Sequence, residues 1–180
     1  MRVISGTARG LKLLAPEGLN TRPTTDRVKE SIFNILMPYL PCENVLDLFA
    51  GSGAMGIEAL SRRCNSCTFI EKDSSSFEII HKNTEKARVL SSSKILKADS
   101  LKFLRGCKTQ FDIIFLDPPY NQGLLAPVFE IISENNLLAE NGVIVCETED
   151  KGETVENDNF VCIKQAKYGK TIVSFFKKAK

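Results

Sequence analysis

The 180 residues predict an α/β fold: a mostly parallel seven-stranded sheet with helices on both faces. Three observations predict it. From Val45 onward, short runs rich in Val, Ile and Phe alternate with longer segments of helical periodicity, the pattern of repeated strand–helix–strand crossovers. The run Phe111 to Leu116 is nearly all apolar, as a strand covered on both faces requires. The C-terminal region then shows two strand-like runs, Asn159 to Tyr168 and Thr171 to Lys177, around Gly169-Lys170, a hairpin signal that adds antiparallel members to the sheet.

Taken in order, Arg2 to Ser5 and Leu11 to Ala15 read as a short hairpin, and Thr25 to Met37 as an amphipathic helix with apolar positions at 28, 32, 35 and 36. Val45 to Phe49 is a first strand, followed by a Gly-rich turn and a helix over Ala54 to Arg63. Thr68 to Glu71 is a second strand, and Ser74 to Leu90 a helix capped by its leading serines. A short third strand, Lys94 to Ala98, precedes a helix near 100–106. The fourth strand, Phe111 to Leu116, precedes a helix near 124–135, and Gly142 to Cys146 is the fifth strand. The expected organisation is one domain over 1–180, with a hairpin-and-helix extension over 1–40 and a catalytic core over 41–180. Ligands are expected outside the carboxyl ends of the strands.

Composition narrows the class. No run of 18 apolar residues suits a membrane span, and Met1 to Gly6 lacks the apolar segment of a signal peptide, so a cytoplasmic location is expected. Six cysteines sit in apolar or strand-like surroundings, as reduced thiols do. Cys64 and Cys67 have ligand-like spacing, but a zinc site needs a second pair and His81 is the lone histidine. A surface turn is expected there, and no metal. The net charge of +2 hides an asymmetry. Residues 1–36 hold six Lys/Arg against three Asp/Glu and residues 164–180 hold six against none, so the two ends carry +9 and the centre −7. Basic ends on an ordinary body suit a nucleic-acid binder.

Asp47-Leu48-Phe49-Ala50-Gly51-Ser52-Gly53-Ala54-Met55-Gly56 contains G-x-G-x-x-G between strand and helix, a turn that both dinucleotides and S-adenosylmethionine exploit. A carboxylate at Asp47 is badly placed beside a pyrophosphate, yet well placed for a ligand carrying ammonium and sulfonium groups. Glu71, twenty residues after Gly51 at the end of the second strand, can accept from both ribose hydroxyls. Asp99 can accept from an adenine amino group or can simply cap the following helix with Ser100. Asp117-Pro118-Pro119-Tyr120 ends the fourth strand. The prolines fix the backbone and expose carbonyl acceptors, which with the Asp117 carboxylate can hold an exocyclic amine while Tyr120 stacks on its base. Positioning and charge placement then supply the rate, with no metal or covalent nucleophile.

At these residues the chain resembles class I amino-methyltransferases. Arg2 to Gly6 with Arg9-Gly10, Thr21 to Thr24 with Asp26 to Asn34, Gly56 to Arg62 and Lys167 to Thr171 extend the likeness over nearly the whole chain. Together they resemble the bacterial 16S rRNA guanine-N2 methyltransferases of the RsmD type. The resemblance implies a Rossmann-like fold and methyl transfer from S-adenosyl-L-methionine to the N2 amine of one guanine in 16S rRNA. It further implies a monomer acting on the 30S subunit or an assembly intermediate. On this reading Asp47, Phe49, Gly51, Gly53, Glu71, Lys72, Asp99 and Ser100 bind the cofactor, and Asp117 to Tyr120 hold the base. Arg22, Thr24, Arg27 and Lys170 face the RNA. Arg63 to Cys67 departs from the Gly-Ala turn more usual in the family. The alternative is an N6-adenine methyltransferase acting on DNA or RNA, although no segment remains for a separate target-recognition region. Asp47 and the lack of a proton-transfer set argue against a dinucleotide oxidoreductase, and a non-catalytic RNA-binding module has no need of Asp-Pro-Pro-Tyr.

Overall fold

The computed structural model describes residues 1–16, 26–119, 122–150, 152 and 157–180. In chain order the elements are α1 (Asp26–Ile35), β1 (Asn44–Asp47), α2 (Ala54–Ser61), β2 (Ser66–Glu71), α3 (Ser74–Lys86), β3 (Ser93–Lys97) and α4 (Ser100–Gly106). They continue with β4 (Phe111–Leu116), α5 (Leu125–Glu134), β5 (Leu138–Glu149), β6 (Phe160–Tyr168) and β7 (Thr171–Lys178). The seven strands form one sheet in the order β3-β2-β1-β4-β5-β7-β6. β1 to β5 pair in parallel, and β7 runs antiparallel between β5 and β6, so the C-terminal hairpin completes the sheet as its pattern predicts.

Strand alternation sorts the apolar side chains into two layers. Val45, Phe115, Val145 and Phe175 join Ile32 and Phe33 of α1, Ile57 of α2 and Ile80 of α3 on one face. Leu46, Ile114, Leu116 and Phe176 join Leu104 of α4 and Phe129 of α5 on the other. Among the described residues no helix is long and apolar enough to cross a membrane.

The structure moves several boundaries. α3 stops at Lys86 rather than Leu90, because Arg88 takes a left-handed φ of 58° and the Val89 N–H returns to the Thr84 carbonyl. Its cap is Asp73, whose carboxylate accepts from the Ser76 N–H at 2.8 Å, rather than a serine. β5 runs well past its apolar centre, since pairing with β4 and β7 orders backbone that the side chains do not mark. The expected surface turn at Cys64 to Cys67 is not one: Cys64 is buried after α2, and Cys67 is buried inside β2. Cys64 Sγ lies 2.7 Å from Cys42 Sγ, and among the described residues no group of three or more metal-ligating side chains forms.

The N-terminal hairpin reduces to one antiparallel bridge, Arg2 with Lys12, backed by Val3 N–H to Leu11 carbonyl at 2.9 Å. Its loop lies on the end of α2. Gly6, at φ 82°, fits there because a Cβ would come within 1.8 Å of the Ser61 carbonyl oxygen. Glu58, with no exposed surface, fastens this segment and α1 to the sheet. Its Oε2 accepts from the Ile4 N–H at 2.8 Å and pairs with Lys29 Nζ at 3.1 Å; its Oε1 accepts from the Ser5 N–H at 3.0 Å and from Arg62 Nε at 2.8 Å. Lys29 Nζ also donates to the Arg2 carbonyl at 2.6 Å. The sequence reading counts Lys29 with the basic end, but the side chain is buried and neutralised. Burial lowers its pKa and Glu58 holds it partly back up.

Removing one partner of such a buried pair leaves the other uncompensated. Glu58→Ala is expected to cost about 3–5 kcal/mol of unfolding free energy in urea titration. A cost under about 1 kcal/mol would mean that Lys29 and the two N–H groups find other partners.

Candidate functional site

The carboxyl ends of β1, β2 and β4 meet at one edge of the sheet, which carries Asp47, Glu71 and Asp117. β1 lies between β2 and β4: Asp47 pairs with Phe69 on one side and Phe115 on the other. The Leu48 N–H donates to the Phe115 carbonyl at 3.2 Å and the Ala50 N–H to the Ile70 carbonyl at 3.1 Å, which ties the glycine turn to both neighbours.

Each glycine in the turn has a separate cause. Gly51 at φ 54° and Gly53 at φ 77° reverse the chain into α2, with Gly53 as its N-cap residue. A Cβ on Gly51 would meet nothing within 4 Å, so the backbone there faces open space where a ligand can approach. At Gly56 a Cβ would fall 2.3 Å from the Phe69 ring and 2.6 Å from Cys67 Sγ. That glycine lets α2 lie close on β2. Phe49, half-buried, packs on the α4–α5 side of the sheet.

Asp47 is 4% exposed and its Oδ2 accepts from the Gly56 N–H at 3.1 Å. Burial pushes its carboxyl up to about 7, against the Gly56 hydrogen bond and with help from Glu71. Glu71 braces the turn: Oε2 accepts from the Gly51 N–H, and Oε1 from the Lys72 and Asp73 N–H groups, all at 2.8 Å. Each carboxylate oxygen accepts from more than one direction, so ribose hydroxyls can join these donors. Asp99 caps α4 by accepting from the Lys102 N–H at 3.1 Å, which holds its carboxyl below the usual range; Lys72 Nζ stands 3.7 Å from its other oxygen. Ser100 Oγ donates to the Leu48 carbonyl at 3.1 Å, fastening α4 to the β1 tip. Asp99 and Ser100 thus act as a cap and a tie, and the Asp99 side chain stays partly exposed.

On the β4 side Asp117 follows Leu116 directly, Pro118 is buried and Pro119 is exposed. Loss of hydration, then the nearby carboxylates of Glu147 and Asp47, push the Asp117 carboxyl well above the ordinary range. The residue as a whole is exposed, so the acid stands at the surface of this strand edge with the carboxylates of Glu147 and Asp47 near it. Glu147 is the residue that sequence reasoning missed. Leu116 pairs with Cys146, so Glu147 falls beside Asp117, a neighbour set by strand register and invisible to spacing. Tyr120, Arg22 and Thr24 lie outside the described residues. Arg27 is exposed on the first turn of α1, and Lys170 is exposed in the β6–β7 turn at the same edge of the sheet.

A family model described as conserved hypothetical protein 95 matches residues 1–177. The chain belongs to that family. It is 40% identical to "Putative rRNA methyltransferase YlbH" of Bacillus subtilis, over 99% of each chain. It is 41% identical to "Ribosomal RNA small subunit methyltransferase D" of Haemophilus influenzae, over 97% of this chain and 91% of that one. The structure matches a "Putative methyltransferase yhhF" of Escherichia coli at TM-score 0.88 and 33% identity, covering 99% of this chain and 97% of that one. The protein is a methyltransferase of the class I fold, and the implied methyl donor fits a turn with open backbone at Gly51 between carboxylates.

The shift at Asp47 gives a stability test. A carboxyl raised from 3.8 to about 7 keeps its proton in the folded state, so its contribution is present below about pH 4 and lost as pH rises through 7. Relative to Asp47→Asn, the wild-type unfolding free energy is expected to fall by about 3 kcal/mol between pH 4.5 and 7.5, then level off. A difference independent of pH across that window would show Asp47 to be ionised throughout.

Proposed function

We propose that the protein transfers a methyl group from S-adenosyl-L-methionine to the N2 amine of one guanine in 16S rRNA, within the 30S subunit or an assembly intermediate in the cytoplasm. The observation that carries this reading is the adjacency of β1 and β4, which sets the glycine turn and the Asp117-Pro118-Pro119 backbone at neighbouring strand tips. The relatives named as rRNA methyltransferases support the choice of substrate.

Asp47, Phe49, Gly51, Gly53, Glu71, Lys72, Asp99 and Ser100 would hold the donor, with Glu71 on the ribose and Asp99 on the adenine side. Bound there, the donor supplies an electrophilic methyl carbon. Asp117 and the carbonyls around Pro118 and Pro119 would accept the two amine hydrogens, and Tyr120 would stack on the guanine. Holding both hydrogens turns the nitrogen lone pair outward and fixes its direction, so the rate comes from positioning and electrostatics. An acid with a raised pKa can also take the proton that the amine loses once alkylated. Arg22, Thr24, Arg27 and Lys170 would meet the RNA backbone.

Incubation of the protein with labelled S-adenosylmethionine and 30S particles, followed by nucleoside analysis, is expected to yield N2-methylguanosine. N6-methyladenosine, or label in DNA alone, would defeat the reading. Asp117→Ala should abolish transfer while donor affinity stays within a few fold; parallel loss of both would make Asp117 structural. Glu71→Ala should weaken donor binding in calorimetry by about tenfold or more, the scale of losing one charged hydrogen-bond acceptor, and an unchanged affinity would remove it from the ribose site.

A further inference from the structure

The side-chain hydroxyls of Ser31 and Tyr168 share a hydrogen bond across 137 positions of sequence. Ser31 lies on α1, and Tyr168 is the last residue of β6. Each has a basic residue beside it. Arg27 precedes Ser31 by four residues, so the two share one face of the helix. Lys170 follows Tyr168 through Gly169, which turns the chain at φ 64°. Register sets the height of that turn. Asp117 stands level with Glu147 and Val173, while the last paired rung before the turn is Glu149 with Thr171, two residues farther out. At about 3.3 Å per residue the turn rises roughly 7–10 Å past Asp117, and two strand spacings of about 4.8 Å separate β4 from β7. The turn therefore overhangs the mouth of the site from one side and α1 closes the same flank.

The neighbouring charges leave these two cations as the available ones. Lys167 is held by Asp150 at 2.5 Å, Arg2 by Asp26 at 3.2 Å, and Lys29 is buried on Glu58. Among the described residues the side chains of Arg27 and Lys170 are exposed and enter no ion pair, and Glu30 is the other exposed charge on that end of α1. Lys170 is fixed through its backbone, whose carbonyl accepts from the Asp150 N–H at 2.7 Å.

We propose that the Tyr168–Ser31 hydrogen bond is a positioning contact for the RNA. It joins α1 to the β6–β7 turn, so that Arg27 and Lys170 form a two-point clamp on phosphates flanking the target guanine. This inference rests on the rRNA reading above and adds to it the residues that align the strand. The bond acts on RNA affinity and leaves donor binding and the methyl-transfer step alone, because the two hydroxyls bond to each other rather than to the glycine turn or Asp117. The Tyr168 ring packs against the α1 side of the core, so Tyr168→Phe removes the bond and keeps the packing.

The test compares wild type with Tyr168→Phe, Ser31→Ala, Ser31→Thr, the Phe/Ala double variant, Arg27→Ala and Lys170→Ala. It measures equilibrium binding to 30S particles over a salt series, steady-state methylation of those particles, and donor affinity by calorimetry. Arg27→Ala and Lys170→Ala are each expected to lower the salt slope of binding by about one. Tyr168→Phe and Ser31→Ala should raise the KM for 30S particles about five- to tenfold, the scale of one net hydrogen bond. In both, kcat and donor Kd should stay within twofold and the salt slope should fall. The double variant should be no worse than either single one, and Ser31→Thr should restore wild-type KM. A changed melting temperature with unchanged KM and salt slope would reduce the bond to a structural strut and overturn the proposal. Equal losses in donor and RNA affinity would overturn it as well. A wild-type protein that methylates some other nucleic acid but neither binds nor methylates 30S particles would refute the substrate reading first, and the clamp with it.

Discussion

A carboxylate buried with four donors around it ties the N-terminal segment and α1 to α2. Glu58 gathers the N–H groups of Ile4 and Ser5 from the N-terminal segment, the Lys29 ammonium from α1 and the Arg62 guanidinium from the end of its own helix. Burying a charge is tolerable when its partners satisfy it fully, and here they do. The consequence is positional. α1 and the N-terminal bridge are tied to α2, and α2 begins at the glycine turn, so α1 and that turn belong to one frame.

A second constraint is backbone proximity. α2 comes close to β2 because Gly56 has no Cβ to strike Phe69 and Cys67, and that closeness brings the Gly56 N–H onto Asp47. Asp47 in turn sits in the strand flanked by the tips that carry Glu71 and Asp117. Packing, hydrogen bonding and charge thus converge on the same few ångströms, as they do where a fold carries a site at the carboxyl ends of its strands.

Charge is layered around that edge. Loss of hydration, with Glu71 beside Asp47 and with Glu147 and Asp47 beside Asp117, keeps both acids above ordinary carboxyl behaviour. Exposed cations stand on α1 at Arg27 and on the β6–β7 turn at Lys170. Several other basic residues are paired within the fold: Lys29 and Arg62 with Glu58, Arg2 with Asp26, Lys167 with Asp150. The charge asymmetry of the sequence therefore overstates the free positive surface.

What the sequence determined by itself was local. The apolar run at Phe111 to Leu116, the hairpin around Gly169-Lys170, the strand–glycine–helix unit at Asp47 to Gly56 and the acid that ends β2 were all legible, because period, turn chemistry and spacing act over a few residues. Only the tertiary structure decided that Lys29 is a buried partner rather than a surface cation, that Cys67 lies inside a strand, that Glu147 stands beside Asp117, and that Ser31 meets Tyr168. Those facts depend on strand order, on register and on which face each helix covers. Register and burial are settled when the two sides of the sheet pack, by contacts between residues tens to more than a hundred positions apart, and no window of sequence contains them.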